Sequence, residues 1–166
     1  GKNNASDVIT DGFKHNATAS AGDTVEYQII STLPTITSAA TNISAYTFQD
    51  VLARGLSYAG GTNSVTLEFF TDEACTNKVT TWKQSDGKFK VTREENNDGT
   101  HTMTISMTDD GLAEINTANT AYDNDNGKLY AGYSNYTLRI RYDAKLNSDE
   151  SLVCLLYTSD AADDLT

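Results

Sequence analysis

Apolar and polar positions alternate with a period of two along much of the chain, the spacing of a strand that buries one of its faces. The pattern is longest at residues 136–146. There Tyr136, Leu138, Ile140, Tyr142, Ala144 and Leu146 fall on one side, and Thr137, Arg139, Arg141, Asp143 and Lys145 on the other. Val25, Tyr27 and Ile29 repeat it against Thr24, Glu26 and Gln28, and Val65, Leu67 and Phe69 repeat it again. Leu33-Pro34 closes the first of these segments, because proline has no amide to give a ladder and holds its predecessor extended. Residues 87–95 and 100–108 make the clearest hairpin. Met103, Ile105 and Met107 share its inward face, and Asn96-Asn-Asp-Gly99 supplies a turn that needs positive φ. The alternation predicts strands near residues 24–32, 46–50, 64–70, 87–95, 100–108 and 136–146. Helical spacing occurs once, near residues 110–118, where Asp109 or Asp110 would cap a turn bearing Leu112 and Ile115 on one face. Residues 71–82 and 121–133 read as loops. Strands at this spacing with one short helix give a mostly β fold, an immunoglobulin-like β-sandwich.

One residue sits oddly in this pattern. In Tyr46-Thr-Phe-Gln-Asp50 the aspartate has the parity of Tyr46 and Phe48, the apolar side of the strand. Either the strand stops at Gln49 and Asp50 opens a solvated turn toward Gly55, or a carboxyl enters the core. A carboxylate leaving water without a partner is costly, so a buried one finds a counter-charge or keeps its proton. Buried acids of that kind are candidate chemical groups.

Composition narrows the function classes. Asp and Glu number 23 against 12 Lys and Arg, for a net charge of -11, and the basic residues do not cluster, which argues against nucleic acid as a partner. No apolar run approaches the roughly 18 to 20 residues a bilayer crossing requires, so no membrane insertion is expected. At 166 residues the chain suits one domain. His15 falls in a loop and His101 on what reads as a polar strand face; neither has the cysteine, serine or carboxylate context of a zinc site or a triad. Asp123-Asn-Asp-Asn-Gly-Lys128 looks calcium-like, but position five of an EF-hand loop would be Gly127 and position twelve Ser134, so it is read as a turn. No cofactor and no metal are implied.

Three segments in order resemble a known family. Gly22-Asp-Thr-Val runs into Leu33-Pro34; Tyr46-Thr-Phe-Gln-Asp-Val-Leu-Ala-Arg-Gly-Leu-Ser-Tyr58 follows; Tyr142-Asp-Ala-Lys-Leu-Asn147 comes last. Together they resemble the fimbrial isopeptide-forming domain of Gram-positive pilin shaft proteins. The resemblance implies a lysine on the first strand, an asparagine on the last and an acid between them that assists their condensation, and it maps the acid onto Asp50. It implies an extracellular, cell wall-anchored surface polymer whose partners are other pilin subunits joined covalently. The candidate lysine is Lys2, which lies about the family's distance before Gly22 but among Gly and Asn rather than on an apolar strand. The candidate asparagine is Asn147, which is out of parity with the core-facing set ending at Leu146. Both depart from the family pattern, and the expectation is that the true cross-link partners are missing from this chain.

Residues 154–166, beginning Cys-Leu-Leu-Tyr-Thr-Ser-Asp-Ala-Ala-Asp-Asp, resemble a translated sequencing adapter and are read as a non-native tail. Residues 1–153 then form the domain, read as truncated at both ends. Without Cys154, the Cys75–Cys154 disulfide that an exported protein would invite is not expected, and Cys75 becomes a lone thiol. The alternative function is an immunoglobulin-like adhesin module binding a host protein or glycan through residues 71–82 and 121–133, where Trp82, Tyr122, Tyr130 and Tyr133 would form the contact face. No arrangement of residues supports a turnover enzyme.

Overall fold

A computed structural model of the chain describes residues 22–59 and 64–146. Lys2, Lys14, His15, Asn147, Cys154 and the adapter-like tail lie outside the described residues. The spine is the longest strand, β10 (Thr137–Leu146), in which the period-two face read from sequence is buried from Leu138 to Leu146. Along one edge β10 pairs antiparallel with β1 (Thr24–Thr32), placing Tyr27 opposite Tyr142 and Ile29 opposite Ile140. Along its other edge it pairs first with β4 (Thr66–Phe70) and then, toward its end, with β3 (Leu56–Tyr58). β5 (Lys78–Lys83) completes this sheet against β4.

A second sheet has the order β2 (Thr47–Leu52), β7 (His101–Met107), β6 (Phe89–Glu95). The hairpin β6–β7 turns at Gly99, whose φ of 88° is the left-handed geometry the Asp-Gly step was expected to supply. The inward faces of the two sheets meet in one core of Tyr27, Ile29, Phe48, Leu67, Phe69, Trp82, Met103, Ile105 and Ile140. The result is the mostly β, immunoglobulin-like sandwich that the alternation predicts. A small separate hairpin, β8 (Ala121–Asp123) with β9 (Gly127–Leu129), projects from it.

Helix α1 (Asp109–Thr117) closes one end of the core with Ile115. Its N-cap is Thr108, whose hydroxyl accepts from the Gly111 amide, and not Asp109 or Asp110. Those two aspartates fall in the first turn, where negative charge complements the helix dipole. The helix is held by a side chain that imitates a strand. Asn116, nearly fully buried, accepts from the Ile43 amide at 2.8 Å and donates to the Ile43 carbonyl at 2.9 Å. Asn116→Ala is expected to leave both backbone groups of Ile43 buried without partners and to cost about 2 kcal/mol, measured by urea unfolding. The same close docking explains Gly111: a Cβ there would meet the Lys88 carbonyl oxygen at 2.0 Å.

Candidate functional site

Asp50 lies within β2, which continues to Leu52, so the aspartate does not open a solvated turn. Its parity with Phe48 and Leu52 turns it inward, and it is 1% exposed. Across the sheet it pairs with Met103, which in turn pairs with Arg93 on β6. Neither carboxyl oxygen has a hydrogen-bond partner among the described residues. Burial raises its pKa from 3.8 to about 7; the Val51 backbone amide favours the ionised form and opposes the shift, without completing a hydrogen bond. A carboxyl in this state holds a proton near neutral pH and can either give or accept one.

Three tyrosines from the opposite sheet occupy the space toward Asp50. Tyr27 on β1 stacks on Tyr142 of β10, ring centroids 5.5 Å apart, and Tyr58 on β3 tilts against the other side of Tyr142 at 5.3 Å. The Tyr58 hydroxyl donates to the backbone carbonyl of Asp50 at 2.8 Å. Burial first, and the charge of Asp50 second, push the phenols of Tyr27 and Tyr58 well above the ordinary tyrosine range. A second hydroxyl link between the sheets joins Tyr46, just before β2, to Ser31 on β1 at 2.9 Å. The acid is thus buried beneath aromatic rings of the opposite sheet.

Of the sequence-predicted site residues, the structure locates Asp50 alone; Lys2 and Asn147 fall outside the described residues. The four aromatics proposed as a binding face are not one surface. Trp82 and Tyr133 are core residues at the α1 end, where the Trp82 indole and the Tyr133 hydroxyl both donate to Glu114 and Lys88 pairs with the same carboxylate at 2.6 Å. Burial opposes ionisation of Glu114, but these donors outweigh it and hold its carboxyl below the usual range. Tyr122 remains exposed, and Tyr130 is half-buried beneath Lys128. His101 shares the inward parity of Met103, at the half-buried end of β7, rather than a polar face. The calcium-like segment is a turn: Asp123 spends its oxygens on the Asp125 and Asn126 amides and the Asn126 side chain. Among the described residues no group of His, Cys, Asp and Glu is placed to hold a metal, and Cys75 forms no disulfide.

Sequence reading missed a second buried carboxylate. Glu68 faces outward from β4, yet it is covered by Lys78, Arg139 and Arg141, with Arg139 and Lys78 also lying over the Phe70 ring. Burial would raise its pKa, and these cations more than offset that and lower it. Unlike Asp50, it is a satisfied structural charge.

No family model matches the sequence, and no curated protein does. The fold is similar to that of the Corynebacterium diphtheriae major pilin SpaA, with a TM-score of 0.51 at 14% identity over 80% of this chain and 25% of that one. That structure points to a modular pilus assembly stabilising isopeptide bonds. The full-length major pilin SpaD of the same species gives a TM-score of 0.47 at 16% identity, over 81% of this chain and 25% of that one. A collagen-binding domain from a Staphylococcus aureus adhesin gives 0.38 at 8% identity, over 84% and 77% of the two chains. The chain therefore has a β-sandwich fold like that of part of the SpaA pilin. It spans about a quarter of the length of the two pilins it matches.

Proposed function

We propose that this chain is a shaft domain of a cell-surface pilus, carried outside the cell in a wall-anchored covalent polymer of pilin subunits, and that Asp50 is the acid of an intramolecular Lys–Asn isopeptide bond. The observation that carries the proposal is the buried Asp50 carboxyl without a partner among the described residues, enclosed by aromatic rings in a pilin-like sandwich. In the reaction, a neutral lysine Nζ attacks the asparagine Cγ, the new C–N bond forms, and the old amide nitrogen leaves as ammonia. A protonated Asp50 hydrogen-bonds the developing oxyanion, then relays the proton from the attacking amine to the leaving nitrogen. Burial beside Asp50 would keep the lysine uncharged, and fixed placement of the three groups would replace a cofactor. The event happens once per molecule, so the domain is structural rather than a turnover enzyme.

Intact-mass spectrometry of a chain carrying its native flanking sequence tests this. The expected result is a mass lower by one ammonia, restored to the full value by Asp50→Ala. A full, uncondensed mass in the unmutated chain would overturn the cross-link. The 166-residue chain itself is expected to show its full mass, because Lys2 and Asn147 both depart from the family pattern.

A second reading, an adhesin module for a host protein or glycan, is favoured by one observation. Tyr122 is 75% exposed on the separate β8–β9 hairpin, an aromatic ring available for contact, while Leu129, 50% exposed, lies on the other face of the hairpin opposite Ala121. Binding of the isolated chain on a glycan array separates this reading from a purely load-bearing domain.

A further inference from the structure

β2 is tied into its own sheet by the β7 ladder, while the acid it carries must meet groups brought by the opposite sheet. Among the described residues, the hydroxyls of Tyr46 and Tyr58 bridge that gap, and that of Tyr58 ends on the backbone carbonyl of Asp50. Tyr58 belongs to β3, whose backbone pairs with the end of β10, Tyr58 lying opposite Ala144. Its ring leans on Tyr142, and its hydroxyl reaches the other sheet to donate to the Asp50 carbonyl. The phenol therefore bridges from β3, paired with the end of β10, to the backbone of Asp50 at its rung with Met103.

We infer that Tyr58 is a positioning residue for the cross-linking reaction, a tether that fixes the Asp50 backbone relative to β10 and so aims its carboxyl at the lysine and asparagine. This rests on the isopeptide reading above. The ring alone would fill the volume; the hydroxyl is what links the two sheets at this rung. The phenol is held neutral by its burial, so it stays a donor across the pH range in which Asp50 titrates. Among the described residues, the titratable groups of the packed elements that act with Asp50 are Tyr27 from β1 and Tyr58 from β3; Arg93 on β6 lies beyond Met103, is exposed and donates to Ser64. None of these is a carboxylate whose titration would imitate that of Asp50.

Tyr58→Phe removes the tether and keeps the ring. Misplacement of a reacting group by about 1 Å costs on the order of a hundredfold in rate, so loosening the acid is expected to slow ammonia loss at least tenfold. The test follows ammonia release and intact mass over time after refolding the chain with its native flanks, as a function of pH. Expected is a lower plateau rate in Tyr58→Phe with the same final mass, and an alkaline limb, where Asp50 loses its proton, that moves toward lower pH as water reaches the loosened carboxyl. Tyr46→Phe, which removes the other inter-sheet hydroxyl link, serves as comparison and is expected to slow the reaction less. If Tyr58→Phe condenses at the unmutated rate with an unmoved pH profile, or no more slowly than Tyr46→Phe, the role is overturned while the cross-link stands. If the unmutated chain releases no ammonia, the cross-link reading falls, and this role with it.

Discussion

Asp50→Asn is expected to make the 166-residue, unlinked chain more stable near pH 8 by up to about 4 kcal/mol and to remove a fall in stability between about pH 4 and pH 7. The sign follows from the direction of the shift. Burial raises the carboxyl from 3.8 to about 7, so within that window the folded chain holds a proton that the unfolded chain has released. Stability from this group is fully present below the unfolded value and is lost as pH rises through the folded one. The roughly three-unit shift corresponds to about 4 kcal/mol, at 1.36 kcal/mol per unit. Glu68 and Glu114 act in the opposite sense. Their cation and hydrogen-bond partners lower their pKa values, so they contribute stability above the ordinary glutamate range and lose it in acid. The difference between Asp50→Asn and the unmutated chain cancels those terms. Denaturant unfolding at several pH values measures it. Parallel curves for the two proteins between pH 4 and 8 would mean that the carboxyl is solvated or paired in solution.

An aspartate expected to weaken the unlinked fold is consistent with a residue placed for chemistry rather than for packing; its face was legible from sequence because strand parity is strict, but whether the strand reached it was not. Parity put Asp50 with Tyr46 and Phe48, and a single residue of slip would have reversed every face of the strand. The same arithmetic exposed the β10 spine and the inward methionines of β7. What the sequence did not reveal is where parity carries little contrast or contacts cross between sheets. In Lys78–Lys83 only Trp82 is a buried apolar side chain while Val79 is exposed, and the ladder slips at Phe69/Phe70, so a real strand read as a loop. β8 and β9 span three residues each, too few to show a period. Two aspartates after Thr108 offered a plausible cap one or two residues too late. The Tyr58 bridge was illegible for another reason: eight residues separate it from Asp50, and the chain changes sheets between them. Glu68 was hidden because alternation says only that it faces outward, not that Lys78, Arg139 and Arg141 fold over it.

In a chain that completes the cross-link, the same Asp50 is expected to have the opposite effect on stability. There Asp50→Ala should lower the melting temperature relative to the effect of the same substitution in the 166-residue chain, the difference being the contribution of the bond. A bond between the first and last strands would close a loop of on the order of 100 residues. The chain-entropy treatment of disulfides assigns such a loop about 4 to 5 kcal/mol, because the link restricts the unfolded ensemble. The alanine also removes the buried acid, which in the unlinked state relieves the chain, so any fall in melting temperature understates the contribution of the bond. Comparing Asp50→Ala with Asp50→Asn in both the flanked and the 166-residue chains separates the two effects. The bond appears as a loss confined to the flanked chain, and the buried charge as a gain common to both. The isopeptide reading requires the first of these: an Asp50→Ala change in melting temperature no different in the flanked chain from that in the 166-residue chain would show that no covalent tie spans the sandwich.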